Sequence, residues 1–170
     1  MAFEIPQNLS NNLMGVAWMI GTWRGNGHGV HPGLDGKPGE QFEYGQQIDI
    51  VENGGDFLHY HSQLYTTDAA GAPEQPLWSE SGYWRPALDG SVEVVMSNPE
   101  GWAEVWAGSI EGAKIELVTD AVMRTQGAAV AYTGGQRLYG QVEGDLLWTF
   151  DRATAEQPLQ PYLWARLQRA

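Results

Sequence analysis

A small set of side chains in this 170-residue chain carries enough chemistry to define a site. Tyr162 lies in PLQPYLWARLQR, residues 158–169. On a cavity wall, a phenol can grip a metal cofactor, point at a small organic ligand or fill space. His59 and His61, in HYH, share a face if the segment is a strand, which is the arrangement of a two-histidine metal pair. Further ligands would have to come from His28 and His31, and nothing in the sequence brings them near, so solvated strand histidines are the simpler reading. Glu80 is close in sequence to Arg85 and reads as a buried carboxylate in a structural ion pair. Arg137, Arg152 and Arg166 fall near segments that could line a cavity. An inward guanidinium in an apolar barrel would hold a carboxylate in a bidentate contact, as a fatty-acid carrier does, although strand alternation turns about half of such residues outward. GTWRGNGHG, residues 21–29, has the spaced glycines of a phosphate cradle but leads into more strand and lacks the Lys-Ser/Thr of a P-loop. It reads better as structure: Trp23 anchors a core, and the alternate glycines let a strand bend or be closely crossed. No nucleophile elbow or paired-acid signature marks an enzyme.

Charge narrows the partners. With 21 acidic residues against 9 basic ones, the chain carries a formal −12. That field repels phosphate backbones and anionic lipid, so neither nucleic acid nor a membrane is expected as partner. The absence of cysteine removes disulfides, thiolate metal sites and a thiol nucleophile. The first twenty residues have no basic leader and only a short, interrupted apolar stretch, so the expectation is a cytoplasmic protein. The oligomeric state is left open.

These residues need a scaffold, and the chain's texture describes one. Short aromatic and β-branched runs, from TWRGNGHGV to DLLWTFD, are separated by turn signals such as ENGGD, LDG, NPEG, TGG and EGD. Alternation puts Val92, Val94 and Met96 on one face, and Trp102, Glu104 and Trp106 on one face. AVAYT and QRLYGQV read as separate strands, and residues 158–169 as a closing strand. The fold class is all-β: about ten antiparallel strands closing into a lipocalin-like barrel whose interior is the natural ligand site. Leu13, Val16, Ala17 and Ile20 at helical spacing predict a short N-terminal helix over one end. VHPGLDGKPGEQ, residues 30–41, is the longest loop signal, and residues 1–170 read as one domain.

Four separated motifs then agree with one family. GTWRGNG fits G-x-W-x-G-x-G through Gly21, Trp23, Gly25 and Gly27; ESGYWRP, SVEVVMSNPEGWAEVWAG and PLQPYLWARLQR follow in compatible order. The chain resembles the nitrobindins over nearly its whole length. The resemblance implies a ten-stranded barrel related in shape to fatty-acid-binding proteins. It also implies a b-type haem, ferric in typical members, that binds nitric oxide and converts peroxynitrite to nitrate. The family's iron ligand is the histidine of P-L-Q-x-H, and that position is Tyr162 here. Two further pocket positions differ: a family histidine is replaced by Trp78, after Leu77, and a common methionine by Arg152.

Imidazole is a good neutral donor to haem iron, whereas tyrosine binds well only as phenolate, from an ordinary pKa of about 10. Its oxygen also reaches about one bond length farther from the backbone, and the indole of Trp78 crowds the opposite wall. The first expectation is therefore a nitrobindin-like barrel without ordinary haem binding or peroxynitrite isomerase activity, needing no metal or other cofactor. It would keep a pocket for an unidentified small molecule, with Leu77, Trp78, Arg152, Trp164 and Arg166 grouped around Tyr162. The second is a haem b protein with Tyr162 as axial ligand to Fe(III), acting on peroxynitrite or nitric oxide. The third is a carrier of a fatty-acid-like anion held by Arg152 or Arg166.

Overall fold

The computed structural model describes residues 4–33 and 37–170, so the middle of the 30–41 loop signal lies outside the described residues. A 3₁₀ helix, Asn11–Met19, is followed by β1 (Gly21–His31), β2 (Glu40–Glu52), β3 (Leu58–Thr67), β4 (Pro73–Pro86) and β5 (Ser91–Ser97). The chain continues through β6 (Trp102–Glu111), β7 (Lys114–Arg124), β8 (Tyr132–Val142), β9 (Asp145–Thr154) and β10 (Gln160–Arg169). Every strand pairs antiparallel with its sequence neighbour, and β10 returns to β1, so the sheet closes with no free edge. None of the described helices is long and apolar enough to cross a membrane.

The period-two pattern determines what faces inward. Val92, Val94 and Met96 are buried on β5, and Trp102, Glu104 and Trp106 on β6. One sequence expectation needs correcting: AVAYT is not a separate strand. Residues 125–131 are a connection, and Tyr132 opens the same strand that carries QRLYGQV. The helix packs Leu13, Val16, Ala17 and Met19 into one end of the barrel. Arg169, at the end of β10, secures it by donating to the carbonyls of Trp18 and Ile20 while stacking on Trp23, 4.1 Å from the ring centroid. Trp23 itself donates to the Met19 carbonyl at 2.7 Å.

The glycines of β1 serve cross-strand packing. Gly27 pairs with Tyr44, and a Cβ at this position would lie 2.3 Å from the phenol ring. The Tyr44 ring therefore crosses β1 at Gly27, and its hydroxyl donates to the Trp164 carbonyl on β10 at 3.2 Å. One side chain thus ties three strands together where the barrel closes.

The barrel is not a hollow vessel, which corrects the expectation that its whole interior is ligand space. Glu80 on β4 and Arg137 on β8, with three strands between them, reach across it in a bidentate pair of 2.6 and 2.8 Å. The Arg137 guanidinium lies 4.3 Å from the centroid of Phe150 and 4.8 Å from that of Trp106. Tyr60 donates to Glu80, and Arg137 donates to the Tyr139 hydroxyl. Glu80 therefore has a different partner from the one its sequence neighbourhood suggests, since Arg85 points outward to Glu93 at 3.0 Å. Ion pair and rings together fill the middle of the barrel, and among the described residues a cavity remains at the end opposite the helix.

Candidate functional site

That open end holds a cavity of about 270 Å³. Phe42, Leu64, Trp78, Glu100 and Tyr162 are prominent in its lining. Two irregular pairings build it. Between β9 and β10, Pro161 faces Asp151 and Leu163 faces Phe150, so Tyr162 is the extra residue of a bulge. Between β3 and β4, Leu64 faces Trp78 and Tyr65 faces Pro76, so Leu77 is extra in the same way. Each bulge suspends alternation for one step and lets consecutive residues, Tyr162 with Leu163 and Leu77 with Trp78, reach one cavity.

The sequence-derived site residues divide accordingly. Leu77, Trp78 and Tyr162 come together at the mouth. Arg152 is buried beside them, its guanidinium stacked on the Tyr162 ring 3.6 Å from the centroid, but it is not part of the cavity lining. Trp164 and Arg166 do not belong to this cavity, a correction to their expected place. Normal alternation resumes after the bulge, sends Leu163, Ala165 and Leu167 inward, and leaves Trp164 and Arg166 on the outer face. Arg166 pairs there with Asp145 and Glu143. Gly21, Trp23, Gly25 and Gly27 serve the closure and the capped end, away from the mouth.

His59 and His61 share the outer side of β3, and among the described residues no three His, Asp or Glu side chains converge as a metal site. Sequence reasoning missed His31, Phe42, Leu64, Glu100 and Leu163 as lining residues. Phe42 and Leu64 follow once strand register is known. Glu100, in the turn between β5 and β6, carried no signal beyond the NPEG turn itself.

The electrostatics of the mouth depend on burial. Burial raises the Tyr162 phenol above its ordinary value, and the adjacent Arg152 opposes that rise without cancelling it. Tyr162 is therefore a neutral phenol near neutral pH, not the phenolate that iron prefers. Burial also raises Glu100, again opposed by Arg152. The cavity is smaller than the ~300–1,000 Å³ usual for drug-sized ligands, and the buried indole of Trp78 forms one wall.

Deeper in, Glu104 is 1% exposed, and neither carboxyl oxygen has a hydrogen-bond partner among the described residues. Tyr132 and Trp106 approach it without completing hydrogen-bond geometry. Burial raises this carboxyl too, with Arg137 opposing.

Comparison with known proteins places this architecture. Residues 12–169 match the family of the THAP4-like, heme-binding beta-barrel domain. A ferric nitrobindin-like protein of Cutibacterium acnes is 61% identical over 171 residues, covering 100% of both chains. A peroxynitrite isomerase of Nocardioides sp. is 46% identical over 169 residues and 99% of both. The crystal structure of Rv2717c from M. tuberculosis superposes with a TM-score of 0.80 at 30% identity, covering 95% of this chain and 99% of that one. The sequence motifs, the ten-stranded closure and these full-length matches agree, and the chain belongs to the nitrobindin family of THAP4-like, heme-binding β-barrel domains.

Proposed function

We propose that this nitrobindin no longer holds haem through an axial side chain and uses its mouth cavity to bind a small ligand. Relatives named ferric nitrobindin-like protein and peroxynitrite isomerase both match along the whole chain, so overall similarity does not choose between them. The residues at the mouth support the haem-free reading. The observation that carries the reading is the setting of Tyr162: an arginine is stacked on its ring, which faces a cavity walled by Trp78. This donor set does not fit iron. An anionic phenolate is the only good donor form of tyrosine, and burial here favours its protonated form. On this reading the isomerase activity named for the Nocardioides relative has no metal to support it, and the chain is a binding protein.

The competing reading takes Arg152 as the group that makes Tyr162 a ferric-iron ligand, since its charge does favour the phenolate. Hemin titration of the purified protein separates the two. The wild type is expected to give a broad change that does not saturate, and Tyr162→His a tighter, saturable one. A sharp Soret band in the wild type that disappears in Tyr162→Phe would establish phenolate ligation and overturn the proposal. The anion-carrier reading has less support, because Arg166 is outside and the charged side chains lining the mouth include Glu43 and Glu100.

A further inference from the structure

We propose that the mouth cavity binds a small organic cation, an ammonium group on an apolar body, with Glu100 as counter-ion and the rings of Phe42, Trp78 and Tyr162 around it. The inference rests on the small-ligand reading and specifies the ligand's chemistry. Glu100 is half-buried at the cavity, and its carboxylate forms no hydrogen bond or ion pair within 4 Å among the described residues. Carboxylates in such positions are costly until a cation or donor reaches them. Arg137 is bound by Glu80, and Arg166 by Asp145 and Glu143, while Arg152, whose charge is felt by Glu100, is stacked on the Tyr162 ring and makes no ion pair with Glu100 within 4 Å. A ligand in the cavity would supply the direct partner that the Glu100 carboxylate lacks among the described residues.

The remaining walls suit the same guest. Phe42, Trp78 and Tyr162 present three aromatic rings and Leu64 an aliphatic side chain, leaving space for a small molecule only. Ammonium groups are attracted to aromatic faces within about 6 Å of the centroid, most strongly to tryptophan. Glu43 stands at the rim with its side chain 83% exposed, adding negative potential at the entrance. The chain's −12 raises the local concentration of cations further. A carboxylate ligand would meet Glu43 and Glu100 and lose what the cation gains.

The test compares phenethylammonium, phenethyl alcohol and phenylacetate, which have similar shape and different charge. Binding to the full chain is measured by calorimetry and ligand-observed NMR at fixed ionic strength. Phenethylammonium is expected to bind about tenfold or more tighter than the alcohol, a difference of about 1.4 kcal/mol, with phenylacetate weakest. Glu100→Gln should remove that preference while leaving affinity for the alcohol unchanged, and Glu43→Gln should reduce it only slightly. Equal affinities, a preference for phenylacetate, no binding of phenethylammonium at millimolar concentration, or an unchanged preference in a folded Glu100→Gln protein would each overturn the inference. Hemin titration of the same preparation is read independently. Saturable hemin binding overturns the haem-free reading, whereas loss of the charge preference with no hemin binding overturns only the choice of ligand.

Discussion

Two buried carboxylates in this barrel illustrate how context decides the role of one residue type. Glu80 is satisfied: both its oxygens meet Arg137, and Tyr60 adds a donor. Removing one member of such a pair leaves an uncompensated charge, so Arg137→Met should destabilise the protein by about 3–5 kcal/mol in urea unfolding. Glu80→Leu combined with Arg137→Met should recover most of that loss. Glu104 has no such partner, and its raised pKa has a predictable sign. A carboxyl that binds its proton more tightly when folded contributes stability that is complete below its unfolded pKa and is lost as pH rises through the folded value. Wild-type stability should therefore fall as pH is raised from about 5 toward neutrality, with Glu100 contributing in the same direction. Glu104→Gln should flatten part of that slope in thermal melts, and an unchanged slope would exclude Glu104 as its source. The sequence made Glu80 visible as a buried carboxylate but not its partner, because Arg137 is 57 residues away and meets it only through barrel closure.

At the scale of elements, alternation was legible and its interruptions were not. Hydrophobic period and turn residues indicated the strands, the short helix and the closure, because inward residues must repeat every second position wherever a sheet buries one face. A bulge breaks that rule with no compositional mark. Trp164 and Arg166 were expected in the pocket with Tyr162, whereas the extra residue at 162 separates the first from the other two. The glycines of β1 were legible as close-approach positions, but their partner ring was not. Gly27→Ala would force a methyl group against Tyr44 and disturb the link to the Trp164 carbonyl. We expect a cost of about 1–3 kcal/mol, read as a lower urea midpoint at unchanged m-value. A neutral substitution would mean that the Tyr44 crossing does not hold β1 against β10.

At the scale of the molecule, the residues that hold the family scaffold together and those that line its open end lie apart. Motifs that close and cap the barrel, Trp23 and the β1 glycines among them, match the family pattern and lie away from the mouth. Trp78, Arg152 and Tyr162, by contrast, cluster at the mouth. Such a division fits a fold that persists while the site grafted on it takes another ligand. The most direct measurement is the amount of haem the protein retains. After incubation with excess hemin and passage through a desalting column, bound haem is assayed as its pyridine haemochrome against protein concentration. Retention far below one equivalent per chain is predicted; close to one equivalent, lost on Tyr162→Phe, would contradict the account.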